Sequence, residues 1–131
     1  MFTIQQIKDI HSKVKSGADF PGYIQELKAL GVKSYEVSVK DGHTKYAGAD
    51  DFIASSEPSW SEKAIALPSS ADKLAHDLKI HQLGKTDYAT FCQQSADAGV
   101  EKWIVDIGTM KCSYYDKEGN IMISEDIPTP A

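Results

Sequence analysis

Apolar positions along the chain switch twice from a helical period to an alternating one. Thr3 and Gln6 have capping-box form, and Ile4, Ile7, His11 and Val14 follow at helical spacing, predicting an amphipathic helix over residues 3–15 that Gly17 closes. Asp19 and Pro21 open a second helix whose stripe is Phe20, Tyr23, Ile24, Leu27 and Leu30, and Gly31 ends it. Tyr35, Val37 and Val39 then alternate with Glu36, Ser38 and Lys40, Asp41-Gly42 supplies a hairpin turn, and His43 to Ala47 return. The same order recurs. In Pro68-Ser69-Ser70 a serine can cap a helix that carries Ala71, Leu74, Ala75 and Leu78 and ends near Gly84, and Asp87 opens another with Tyr88, Phe91 and Cys92 that stops at Gly99. Trp103, Val105 and Ile107 alternate along one strand, Met110, Cys112 and Tyr114 along the next. A third strand, Ile121 to Ile123, follows the turn at Asp116–Asn120, and the chain frays at Pro128–Pro130.

The recurrence extends to residue identity. Residues 19–46 align without a gap on 87–114 at an offset of 68: Asp19, Gln25, Gly31, Val32, Val37 and Tyr46 recur as Asp87, Gln93, Gly99, Val100, Val105 and Tyr114. Phe20/Tyr88, Tyr23/Phe91, Tyr35/Trp103 and Val39/Ile107 keep their character. The expected fold is therefore α+β: one domain over 1–131 built of two ααββ(β) units, 3–48 and 70–126, that share an antiparallel sheet with the helices on one face. Residues 48–63 interrupt the correspondence, with a third strand of the first unit expected at Ala64 to Leu67. A connection that long without periodicity is uncommon in compact domains and often functional.

Composition narrows the partners. No apolar run approaches the roughly 20 residues of a membrane span, and the polar N-terminus is unlike a secretion signal, so the expected compartment is the cytoplasm with no membrane partner. The net charge of −5 opposes association with nucleic acid, and the chain contains no arginine, the residue suited to bidentate phosphate and guanine contacts.

Chemistry-bearing residues are scattered. His76 and His81 lie five residues apart, about 140° around a helix, which does not suit a zinc pair, and no metal or cofactor is expected. His11 reads as a hydrogen-bonded histidine at the edge of a core face, and His43 as an exposed one at a hairpin tip. Cys92 stands where the first unit has Ile24, and Cys112 where it has Thr44, so both thiols are expected to fill volume rather than react. Asp116-Lys-Glu-Gly-Asn120 has the chemistry of a solvated turn, and phosphate-loop, serine-hydrolase and zincin signatures do not occur. The 48–63 segment combines Asp50 and Asp51 with Phe52 and Trp60, and those four are the candidate ligand contacts.

The stretch AGVEKWIVDIGTMKCSYYDKEGN, with its GV-x-x-W-x-VD and Y-Y-D-x-x-G-N pattern, resembles a family of bacterial proteins of about this length classed as a domain of unknown function, some labelled phage envelope protein. The resemblance is strongest over Thr86 to Glu125 and Lys13 to Tyr46 and implies a shared fold and bacterial origin, with no activity attached. The functional expectation is a noncatalytic module binding a small molecule or a protein, since clefts between paired units favour ligands. One alternative is an enzyme with a His/carboxylate site assembled from His11, His76 and His81. Another is an oligomerisation or interaction protein, a homodimer included, using an open sheet edge at Ile123.

Overall fold

Glycine and capping side chains set the helix limits. In the computed structural model, which describes residues 2–14 and 19–127, Thr3 and Gln6 form the reciprocal capping box of α1 (Ile4–His11). Turns continue to Val14, short of the helix end expected at residue 15. Residue 15, Gly17 and Pro128–Pro130 lie outside the described residues. Asp19 precedes α2 (Phe20–Leu30) without capping it through its side chain, and Gly31 closes it in the left-handed region at φ 106°. Ser70 caps α3 (Ala71–Gln82), and Asp87 caps α4 (Tyr88–Ala98), accepting from the Thr90 N–H at 2.8 Å.

The strands are β1 (Ser34–Ser38), β2 (Thr44–Ala47), β3 (Ile53–Ser55), β4 (Lys102–Asp106), β5 (Lys111–Tyr115) and β6 (Ile121–Asp126). They form one antiparallel sheet in the order β3-β2-β1-β4-β5-β6. At its centre β1 pairs with β4 about Glu36 and Ile104, two residues 68 apart, so this register maps onto itself under the offset seen in the sequence. Paired residues share a face. Tyr35, Val37, Thr44, Tyr46, Trp103, Val105, Cys112 and Tyr114 are all buried on one side, where the four helices pack, and all of them but Thr44 join one hydrophobic cluster with Ile7, Ile24, Leu27, Leu74, Leu78 and Phe91. Glu36, Lys102, Ser113 and their neighbours face outward, the usual division of an antiparallel sheet covered on one side.

The third strand of the first half is not at Ala64 to Leu67. It is β3, entered from β2 through a 3-10 turn at Ala49–Asp51, and it pairs Ala47 with Ile53 as β5 pairs Tyr115 with Ile121. Three residues at a sheet edge, with Ile53 62% exposed, leave almost no burial pattern by which to recognise it. The irregular connection is therefore 56–70, and it is held by backbone bonds. The Ser59 and Trp60 N–H groups donate to the Asp41 carbonyl and Lys63 to Lys40, while Ala66 and Ser70 donate to Ala96 and Ala98 at the end of α4. This strap crosses the β1–β2 hairpin tip and then the α4 C-terminus.

Candidate functional site

Between the helices and the covered sheet face lies a cavity of about 440 Å3. Its walls come in counterparts 68 residues apart: Phe20 and Tyr88 from the helix starts, Tyr23 and Phe91 one turn later, Tyr35 and Trp103 from the central strands, Thr44 and Cys112, then Tyr46 and Tyr114 from the next strands. Counted from the capping residues Thr3 and Ser70, which are 67 apart, His11 answers Leu78 and Val14 answers His81, and all four line the same space. Val37, whose counterpart Val105 does not reach the cavity, and Gln82, Asp87, Ala89 and Glu125 complete the lining; Gln82, Asp87 and Ala89 are exposed and Glu125 is half-buried, so these four stand at its mouth.

The aromatic rings contact one another around this space. His11 meets Tyr23 and Tyr88 edge-on, with centroids 5.3 and 5.4 Å apart. His81 stacks on Phe91 at 4.5 Å, its Nδ1 within 3.0 Å of Thr86 Oγ1. Trp103 touches Tyr88, Phe91 and Tyr114. Among the described residues His11 is thus held by ring contacts and not by a hydrogen bond of the kind expected from its sequence position. Tyr88 is 37% exposed, yet its hydroxyl points inward beside the Cys92 thiol.

Burial keeps the inner walls uncharged. Desolvation lowers the pKa of His11 and His81, favouring neutral imidazole, and raises those of Tyr23, Tyr35, Tyr88 and Tyr114, favouring the phenol. It pushes the Cys92 and Cys112 thiols up to about 12, which fits volume-filling and not nucleophilic cysteines. Glu125 is raised by burial and accepts a hydrogen bond from Gln82 at 3.0 Å, tying β6 to α3. Asp87 lies lower than usual because the side chain and backbone of Thr90 bond to it.

His76 is exposed and apart from the cavity, so the three helical histidines do not meet in one site. His43 is half-buried, with Nδ1 2.6 Å from Asp41 Oδ1, and is not the free hairpin-tip group expected. Among the described residues no group of three or more His, Cys, Asp or Glu is placed to hold a metal, and no helix is long and apolar enough to cross a membrane.

The four loop residues singled out from sequence are not gathered at one point. Asp50 and Asp51 are exposed on the 3-10 turn, both at positive φ. Phe52 is half-buried edge-on to Phe2 at 4.8 Å. Trp60 belongs to the strap: its indole N–H donates to the Val39 carbonyl at 3.2 Å, its ring lies so close over Gly42 that a Cβ there would sit 2.8 Å away, and its centroid is 6.5 Å from that of Tyr88. None of the four lines the cavity. The lining aromatics had read as frame, because each also completes an ordinary helix or strand stripe. The available signal was that aromatic or polar pairs, not aliphatic ones, recur at Tyr35/Trp103, Thr44/Cys112 and Tyr46/Tyr114.

Fold and cavity together define an α+β protein in which four helices and one face of a six-stranded antiparallel sheet enclose an aromatic-walled chamber. The chain belongs to the family described as "Protein of unknown function (DUF1398)", which matches residues 8–126. It is also similar to the "Uncharacterized protein YcgX" of Escherichia coli (strain K12), 22% identical over 115 residues that cover 88% of this chain and 86% of that protein. Neither description carries the phage envelope label.

Proposed function

We propose that the protein is a noncatalytic binding module that takes a small, largely apolar molecule into the cavity between its two halves. The observation that carries this reading is the chamber itself: about 440 Å3, within the range of ligand sites and built from counterpart side chains of both halves. Well-packed interiors leave few voids larger than a water molecule, so a chamber of this size is hard to reconcile with a purely structural core. The buried thiols and phenols, held in their protonated forms, provide no activated nucleophile, which favours binding over catalysis. In this reading the 48–63 segment serves the site at one remove. Trp60 backs Tyr88 at the rim, Phe52 clamps Phe2, and Asp50 and Asp51 mark the solvent side of the turn. The two halves are read as one duplicated frame whose seam became the binding site.

The test is a screen of small aromatic compounds on the Trp60→Phe protein, in which Trp103 is the remaining tryptophan and reports from the cavity wall. Binders should change its fluorescence and raise the melting temperature by mass action. Ala89→Phe, which places a large side chain at the mouth without adding a second tryptophan, should abolish both effects. Binding that survives Ala89→Phe undiminished would move the site elsewhere.

A further inference from the structure

We infer that the cavity selects an uncharged, flat aromatic molecule carrying a hydrogen-bond acceptor such as a carbonyl oxygen or a ring nitrogen, and that Tyr35 and Trp103 read that acceptor. This rests on the ligand-site reading above and specifies its chemistry. Tyr35 is 6% exposed and Trp103 5%. Neither the Tyr35 hydroxyl nor the Trp103 ring N–H has a hydrogen-bond partner among the described residues. Among those residues the side-chain atoms both sealed and unbonded are Gln94 Oε1 and Ser95 Oγ. Unbonded among the described residues and not sealed, the Tyr35 and Trp103 groups open onto the cavity that both residues line.

A buried polar group without a partner carries a desolvation cost, which a ligand offering the matching group removes. The indole N–H can only donate, and the phenol can donate, so the matching group is an acceptor. One acceptor can serve both. Tyr35 stands opposite Val105 and Trp103 opposite Val37, which makes the two aromatics diagonal neighbours on one face of adjacent strands, within reach of the same small molecule.

Charge excludes the obvious competitors. An anionic ligand would find no lysine among the described lining residues, and it would pass the carboxyls of Asp87 and Glu125 at the mouth. An ammonium ion would bring donors to donors, leaving the Trp103 N–H unsatisfied. The walls are rings in mutual contact, which favours a flat body that can stack on them.

Four naphthalenes of similar size separate these cases when titrated calorimetrically into the full chain: 2-acetylnaphthalene, 2-ethylnaphthalene, 2-naphthoate and 2-naphthylmethylammonium. The ketone should bind about tenfold tighter than the hydrocarbon, the effect of satisfying two donors, and tighter than either ion. In Tyr35→Phe and in Trp103→Phe the ratio of ketone to hydrocarbon affinity should fall toward one, whatever each substitution does to hydrocarbon binding itself, with circular dichroism reporting the fold of each variant. A carboxylate or ammonium that binds most tightly, or a ketone no better than the hydrocarbon, overturns the inference and leaves the ligand site standing. No binding by any of the four overturns both.

Discussion

Gly31 and Gly99 occupy equivalent helix ends 68 residues apart, and replacing each by alanine isolates what the strap contributes. Both adopt left-handed backbone, φ 106° and 93°. Alanine at either site meets the same left-handed penalty, about 1–2 kcal/mol, partly offset by the lower entropy of the unfolded chain. These effects cancel in the comparison. The surroundings do not match. A Cβ on Gly31 meets nothing within 4 Å, whereas one on Gly99 falls 2.6 Å from both the Cα and the Cβ of Ser69 and 3.0 Å from the Ala66 carbonyl oxygen. Those are mostly backbone atoms of the strap, anchored there by the Ala66 and Ser70 bonds to α4, so they cannot swing aside as a flexible side chain would. Overpacking of this kind costs about 1–3 kcal/mol beyond the shared terms. Gly99→Ala should therefore melt about 4–12 °C below Gly31→Ala, at about 4 °C per kcal/mol for a domain of this size. Urea denaturation followed by circular dichroism should show the same order in midpoint without a change in slope. Equal losses for the two variants would mean that residues 66–70 are not seated on the end of α4.

The remaining predictions address the cavity and its rim. His11 and His81 should titrate below the ordinary 6.5 in NMR, since burial lowers both. A depressed histidine pKa means that the folded state resists protonation, so stability should fall as pH drops from 6.5 through the folded values, and the loss should be smaller in the His11→Phe protein. Asp87 has the opposite sign of charge and the same sign of shift: its contribution is present above the ordinary 3.8 and lost as pH falls below it, and Asp87→Asn should flatten that limb of the stability curve. Cys92 and Cys112, both buried with thiols near 12, should resist a thiol reagent in the native protein and both react in urea. Trp60→Ala removes the indole bond to Val39 and the cover over Gly42, and should cost about 1–3 kcal/mol in urea titration.

Helix ends and strand faces were legible in the sequence because each has a local cause. Thr3, Ser70 and Asp87 cap through their own side chains, Gly31 and Gly99 supply left-handed stops, and alternation on a half-buried sheet assigns Tyr35, Val37, Trp103 and Val105 to one face. Two things were not legible. β3 is too short and too exposed for periodicity to mark it, and its partner Ala47 lies in the same brief stretch of chain, so the strand was expected eleven residues later. The cavity has no motif at all. It exists because the side chains of α1 to α4 do not fill the volume above the sheet, a property of their summed shapes, and its lining residues carry the same apolar stripes a solid core would show. The loop residues drew attention by interrupting the sequence correspondence, whereas five lining pairs, Phe20/Tyr88 to Tyr46/Tyr114, lie within it.

The most direct test of the account is a map of intermolecular nuclear Overhauser effects from bound 2-acetylnaphthalene to the uniformly labelled protein. Contacts to Tyr35, Phe91, Trp103 and Tyr114, drawn from both halves, are the expected result. Contacts confined to Asp50, Asp51, Phe52 and Trp60 would contradict the account and return the binding site to the loop.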